Sequence, residues 1–193
     1  MNYLSLFLLI FILLIILHNY YNRYSGLTSI QCPTDGRKYM VKNDNNKYLK
    51  VKLLSKINEI TLNILNKLKQ SEHYNDKGVK KLCSTYNPNK LYENVDKEYT
   101  SYSLNKGEEI RLCLVNPENN LVIEDINTLL FVLIHELAHV MTPAIGHPPE
   151  FWKNMSFILK FSIDNNLYQY VDYSKDPVMY CGINVNRTPY VMQ

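Results

Sequence analysis

Five residues in the second half of the chain, His135-Glu136-Leu137-Ala138-His139, have the types and the spacing of a zinc-hydrolase site. Residues four apart in a helix leave the same face, so His135 and His139 can bind one Zn²⁺ ion. Glu136 lies about 100° around the helix, where a carboxylate can act as the base that deprotonates the attacking water. The motif therefore predicts zinc-dependent hydrolysis of an amide bond.

The segment that carries the motif predicts a helix buried inside a domain. Residues 129–134, which precede the motif, are apolar on every side of such a helix. Asp125 or Asn127 can cap its start, and Pro143 prevents it from continuing. Burying two histidines and a glutamate without a partner is costly, so a bound cation is the favoured explanation. The alternative is a pair of hydrogen-bonded core histidines.

A third metal ligand is expected because zinc in hydrolases usually has three protein ligands and an open fourth position. His147 follows a short turn with a proline and a glycine, which lets the chain double back. We predict that it faces the two motif histidines from the start of a second helix, with Phe151 and Trp152 packed under the site. Glu150 is the competing ligand, and a solvated loop position is the alternative for His147.

Together, these segments resemble the WLM family of metallopeptidases. The resemblance rests on residues 102–114, which read as a strand with an N-x-G-x-x-I-x-L turn, on the apolar helix with the HELxH motif over 129–139, and on His147 before the Phe151-Trp152 pair. The ending H-x-x-x-F-W is also similar to the SprT-like and YgjP-like peptidases, which have the same minimal zincin core. The similar region spans about residues 50–165.

The resemblance implies an α+β fold, a minimal zincin-like domain in which a small sheet containing antiparallel strands packs on the HExxH helix. It implies His135, His139 and His147 as zinc ligands, Glu136 as the catalytic base, and a protein or peptide as substrate. Seven residues separate the second and third histidines, where the family pattern has five. A related domain behind an apolar N-terminus is associated with large DNA viruses, which suggests a virion membrane protein.

Residues 1–24 predict a single transmembrane anchor. Residues 4–17 are apolar except for Ser5, and a helix over residues 1–21 would be about 32 Å long, enough to cross a bilayer. Tyrosines follow at the headgroup level. A cleaved signal peptide is the main alternative, but a basic n-region and small residues before a cleavage site are not evident. Basic residues begin only at Arg23, so the positive-inside rule places the remaining domain on the cytoplasmic side.

Residues 25–193 have the size of one compact domain. The chain contains 21 Lys+Arg and 18 Asp+Glu, and its formal charge of +3 is too even to predict a nucleic-acid partner. The four cysteines occur singly, without C-x-x-C spacing. We expect reduced thiols, with two disulfides in an oxidising compartment as the alternative, at Cys32, Cys83, Cys113 and Cys181.

The remaining patterns predict the elements around the motif. Residues 39–41 read as a short strand, and apolar residues recur at helical spacing over 48–70. Residues 99–104 and 109–115 flank Asn105-Lys106-Gly107 as a hairpin whose glycine needs a positive φ. We expect the strand 109–115 to offer its edge to a peptide substrate, since zincins commonly bind substrate as an added strand.

Two other classes of function are open. The zinc site can be structural or inactive, in which case the protein is a membrane-anchored scaffold or virion component. Alternatively, the protein is an adaptor that recruits a partner through helix 48–70, although the apolar stripe of that helix is most simply core. Near the site, Asp164 or Asp172 could orient a ligand imidazole, and a tyrosine after Asn165 could stabilise an oxyanion.

Overall fold

A long apolar helix, α1 (Tyr3–Tyr24), begins the part of the chain that the computed structural model describes, residues 3–96 and 99–190. Residues 1–2, 97–98 and 191–193 of the predicted anchor and domain lie outside the described residues. The helix has 22 residues, about 33 Å of length, and its apolar side chains are exposed. By length and composition it can cross a membrane, as the sequence predicts.

Four further helices and seven short strands form a mixed α+β arrangement in the described residues. The helices are α2 (Lys47–Gln70), α3 (Lys77–Thr85), α4 (Ile126–Met141) and α5 (Pro149–Asp164), with a 3₁₀ turn at Glu72–Asn75. The strands are β1 (Leu27–Gln31), β2 (Lys38–Lys42), β3 (Leu91–Glu93), β4 (Tyr102–Leu104), β5 (Glu109–Leu112), β6 (Val178–Tyr180) and β7 (Ile183–Val185). The expectation of an α+β fold with small sheets is confirmed at this level.

The sheet that matters for the motif has three strands in the order β3-β5-β4. β3 runs parallel to β5, whereas β4 and β5 form the predicted antiparallel hairpin. Three consecutive turn residues, Asn105, Lys106 and Gly107, have positive φ. A Cβ atom on Gly107 would lie 2.6 Å from Cγ2 of Val140 in α4, so glycine also permits the hairpin to approach the helix closely.

Helix α2 agrees with the predicted amphipathic helix, and its apolar stripe is buried in the core. Val51, Leu54 and Ile57 are among its buried residues, so the face proposed for partner recruitment packs against the rest of the protein. A buried ion pair adds to this packing, because Nζ of Lys50 donates to both carboxylate oxygens of Glu93 in β3, at 2.8 and 2.9 Å. These contacts fasten α2 to the sheet.

Helix α4, which carries the motif, lies at the centre of the fold and packs against α2, α3, α5, β4 and β5. Asp125 is the N-cap, since its side chain accepts hydrogen bonds from the backbone N–H groups of Asn127 and Thr128. The helix ends at Met141, and Thr142 adopts the extended conformation favoured before a proline. The predicted buried helix is confirmed, and Asp125 rather than Asn127 caps it.

The cysteine prediction is wrong in both of its forms. Cys113, just after β5, forms a disulfide with Cys181 in the turn between β6 and β7. Cys32 and Cys83 are free and buried. A single disulfide forms because the fold brings the Cα atoms of Cys113 and Cys181 within 6.4 Å of each other, although 68 positions separate them in the sequence. The bond ties the β6–β7 hairpin to the central sheet.

Candidate metal centre

Helix α4 presents His135 and His139 side by side on one face. Their ring centroids are 5.0 Å apart, as expected for residues one helical turn apart. Both histidines are partly exposed, whereas the helix residues around them, including Leu137 and Ala138, are fully buried. The two imidazoles therefore mark the point at which a core helix reaches the surface.

The turn between α4 and α5 brings the third imidazole to this point. Gly146 takes a positive φ of 78° immediately before His147. The Nε2 atoms of His147 and His135 are 3.1 Å apart, and ligand atoms from His135, His139 and His147 all lie within 4.8 Å of one another. The predicted convergence of these three side chains is present, so the group can hold a metal ion.

Phe151 forms the floor of the histidine cluster. Its buried ring has centroid distances of 4.8 Å to His135, 4.4 Å to His139 and 4.6 Å to His147. Trp152 flanks the cluster instead of lying beneath it, with its ring 5.5 Å from that of His147 and partly exposed. The aromatic floor limits where the imidazoles can move, which keeps their nitrogens directed toward a common point.

The distance between the Nε2 atoms of His135 and His147 fits a tetrahedral metal ion. Two nitrogens bound to one zinc ion at about 2.0–2.1 Å lie about 3.3 Å apart in tetrahedral geometry, close to the observed 3.1 Å. Burial and the neighbouring imidazoles lower the pKa of His135 to about 3, and the same causes with Lys106 lower that of His139 to about 4. Both rings are therefore neutral at neutral pH, which is the form that binds a metal.

Glu136 is 4 % exposed and lies on the wall of the same cleft. Loss of hydration raises the pKa of this carboxyl to about 8, and a hydrogen bond from the backbone N–H of Ser103 opposes that effect. A nearby divalent cation would favour the ionised carboxylate and lower this pKa. The environment therefore makes Glu136 a group whose proton affinity depends on what the histidines bind.

The three histidines line an open cleft of about 430 Å³. Its opposite wall is β4 with the following turn, and it includes Tyr102, Ser103 and Lys106. The prediction that strand 109–115 offers an edge here is wrong, because β5 lies between β3 and β4 and all four of its residues are buried. The strand that borders the cleft is β4, at the edge of the sheet.

Lys106 is a cleft residue that the sequence analysis did not identify. Its Nζ donates hydrogen bonds to the backbone carbonyls of Thr142 at 3.0 Å and Ala144 at 2.6 Å. Both carbonyls belong to the turn that leads to His147. Lys106 thus clamps the metal-ligand turn to the β4–β5 hairpin. Its position in the turn was visible in the sequence, but nothing local indicated which backbone it would contact.

Other sequence candidates lie away from the centre. Glu150 is exposed in the first turn of α5 and is not part of the histidine group, which disfavours it as a third ligand. The suggested orienting carboxylates have other partners, since Asp164 accepts from Lys160 and Asp172 pairs with Lys175. Among the tyrosines after Asn165, Tyr180 has its pKa raised by burial and by the charge of nearby Glu136, yet its hydroxyl donates to the carbonyl of Cys113.

The chain is similar over part of its length to two viral proteins. It is 45% identical over 97 residues to an uncharacterized protein of Acanthamoeba polyphaga mimivirus, covering 50% of this chain and 49% of that protein. It is 40% identical over 68 residues to an uncharacterized protein of Invertebrate iridescent virus 3, covering 35% and 42%. The chain thus spans less than half the length of each curated relative. No family model and no solved structure matches it.

The shifted pKa values predict an optimum in the stability of the metal-free protein. From about pH 4.5 to 6.5 the unfolded chain binds more protons on His135 and His139 than the folded chain does, and this outweighs the opposite effect of Glu136, so stability rises with pH. From about pH 6.5 to 8 the folded chain holds the extra proton on Glu136, so stability falls. We expect these three groups to place a maximum near pH 6.5.

Thermal unfolding of the chelator-treated full chain in detergent, at about pH 5, 6.5 and 8, measures this optimum. The matched variant is Glu136→Gln, which cannot ionise and should lose the decline above pH 6.5 while keeping the decline in acid. An equal decline in the parent and the variant at alkaline pH would show that Glu136 does not hold a proton in the folded state.

The clamp predicts that Lys106→Met weakens metal binding. The variant keeps the length of the side chain but loses both hydrogen bonds to the metal-ligand turn, and we expect zinc affinity to fall about tenfold. Competition with a chromophoric chelator measures the affinity. Lys160→Met is the control, because Lys160 is an exposed lysine that bonds Asp164. Equal affinity in the parent and Lys106→Met would contradict the clamp.

Proposed function

We propose that this chain is a zinc-dependent metallopeptidase of the minimal zincin type, held at a membrane by α1. The observation that carries the proposal is the convergence of His135, His139 and His147 on one point, with Glu136 on the wall of the same open cleft. In the resemblance to WLM-type peptidases, these four residues occupy the positions of the ligands and the base. The substrate class is a protein or peptide.

The donor set supports zinc as the metal. Three imidazole ligands suit Zn²⁺, and a three-ligand site leaves one position for water or substrate. When bound, zinc lowers the pKa of a coordinated water toward 7 and polarises a carbonyl group. A structural zinc site is usually closed by four protein ligands, so an open cleft with three histidines favours catalysis over a purely structural role.

Glu136 is suited to move the proton in such a reaction. Its carboxyl faces the cleft, and its pKa of about 8 without a cation means that it can hold a proton near neutral pH, whereas a cation favours its ionised form. In the proposed reaction it accepts a proton from the attacking water and returns it to the leaving amine. The backbone N–H of Ser103 helps to fix the carboxyl group.

The sheet edge supports an extended polypeptide as the substrate. β4 pairs with β5 on one side and borders the cleft on the other, so a peptide can add there as a further strand. Ile145, 94 % exposed on the opposite lip, offers an apolar surface to a substrate side chain. These features replace the earlier expectation that strand 109–115 would bind the peptide.

The proposal is tested with two substitutions in the site. Glu136→Gln should bind zinc as the parent does but lose peptidase activity by about 10²-fold or more, because it removes the base and keeps the ligands. His139→Ala should lose zinc binding and activity together. Metal analysis and cleavage of a dye-quenched unstructured polypeptide measure both properties. A Glu136→Gln protein as active as the parent would favour the inactive zinc scaffold or virion protein instead.

We also propose that α1 is a retained anchor and not a cleaved signal peptide. Arg23 and Tyr24 at its end both donate hydrogen bonds to the carboxylate of Glu109, which is only 3 % exposed. Processing after Tyr24 would remove these partners from a buried charge, which is costly. The contacts therefore favour a mature protein that keeps the helix.

The charge pattern and the disulfide favour different sides of the membrane. Arg23 lies in the last turn of α1, and Arg37 and Lys38 follow the helix, which favours the cytoplasmic side for the domain. The Cys113–Cys181 disulfide is of a kind that persists in oxidising compartments. The cytoplasmic orientation stays a prediction, and protease protection in sealed vesicles tests it.

The anchor predicts that the full chain resists alkaline carbonate extraction and keeps its N-terminus in the mature protein. The control is Ile10→Arg combined with Leu14→Arg, which places two charges in the span at a cost of about 3 kcal/mol each and should move the protein to the soluble fraction. Fractionation and mass determination measure both results. A mature species that begins after Tyr24 would identify α1 as a signal peptide.

A further inference from the structure

The end of α1 is fixed to the domain by a charged network in which Glu109 and Arg111 are buried and Arg23 is partly exposed. Nη2 of Arg23 donates to Oε1 of Glu109 at 3.2 Å, and the hydroxyl of Tyr24 donates to Oε2 of the same carboxylate at 2.8 Å. Arg111, 1 % exposed, donates from Nε to Glu109 and from Nη1 to the backbone carbonyl of Arg23, at 2.6 and 2.8 Å. The guanidinium of Arg111 also lies 5.0 Å from the ring centre of Tyr24.

This connection leaves no room for a flexible stalk. Only Ser25 and Gly26 separate α1 from β1, and the charged network joins the helix end directly to β5. A buried charged network that satisfies several hydrogen bonds at once is difficult to open, because each separated charge loses its partner in a dry environment. The domain is therefore held at a set height above the membrane that α1 would cross.

The metal cleft and the helix end are joined by one strand. Tyr102 of β4 lines the cleft, and it also lines a polar groove beside the end of α1 that includes Asn19 and Asn22. Tyr102 pairs with Arg111 across the sheet, and Arg111 bonds Arg23. A polypeptide that adds to the edge of β4 thus runs from the histidine group toward Arg23 and Tyr24, where α1 leaves the membrane and meets the domain.

The contacts limit the distance between the base and the membrane. From Glu136 the path runs through Ser103 and Tyr102 to Arg111 and Arg23. Neighbouring Cα atoms are about 3.8 Å apart and paired strands about 5 Å, so the whole path, with its side chains and hydrogen bonds included, is about 25 Å at most. An extended chain covers that distance in about eight residues.

We propose that the substrate is the juxtamembrane segment of another membrane-anchored polypeptide, cleaved within about ten residues of its own span. This inference rests on the proposed peptidase and anchor. A cleft held within about 25 Å of the headgroup level meets such segments at high local concentration, whereas parts of a substrate held farther from the bilayer are out of reach. The substrate enters as a strand along β4, with its membrane end toward α1.

Two reporters reconstituted with the full chain in proteoliposomes test this inference. Each has a single span followed by the same unstructured cleavable segment, either directly or after a helical spacer of about 20 residues, which raises the segment by about 30 Å. We expect the parent to cleave the direct reporter at least about tenfold faster. Equal cleavage of both reporters would overturn the inference.

The matched variant carries a flexible Gly/Ser linker of about 20 residues between Asn22 and Arg23, which keeps Arg23 and Tyr24 on the domain but frees its height. This protein should cleave both reporters at rates within about threefold of each other. A linker variant that keeps the parent's preference would also overturn the inference. If the full chain in detergent cleaves neither the reporters nor a free unstructured polypeptide, the proposed peptidase activity itself is wrong. This outcome differs from equal cleavage of both reporters, which overturns only the juxtamembrane substrate.

Discussion

Burial of ionisable groups on α4 is the constraint on which the rest of the structure depends. His135, His139 and Glu136 project from a helix that is otherwise packed in the core, so their charged forms lose hydration. The histidines respond by staying neutral, and the carboxyl responds by holding its proton more tightly. A divalent cation would bind the neutral histidines and would lower the raised pKa of the Glu136 carboxyl. This gives a physical reason for the three residue types to share one apolar helix.

The surrounding elements complete this arrangement from distant parts of the sequence. The α4–α5 turn supplies His147, Phe151 supports all three rings, and Lys106 holds the turn from the opposite hairpin. Gly107 lets that hairpin lie against α4, since a side chain there would meet Val140. The histidine group therefore depends on two turns, one on each side of the cleft, that are joined by Lys106.

The central sheet connects this centre to the apolar helix. Glu109 and Arg111 in β5 bind the end of α1, while β4, the neighbouring strand, forms the wall of the cleft. Strand β5 lies between β3 and β4 and is buried, and β4 is at the edge of the sheet. The same sheet therefore contacts both the end of α1 and the cleft that contains the three histidines.

The sequence by itself determined the elements whose signals are local. The HExxH helix, its start near Asp125 or Asn127, helix α2 and the turn at Gly107 follow from periodicity, capping and backbone preference. Only the tertiary structure decided that β4 is the edge strand, that Cys113 pairs with Cys181, and which groups the other side chains contact. Strand order and these contacts depend on pairing between residues far apart in the chain. Local sequence periodicity does not indicate which distant residues pair.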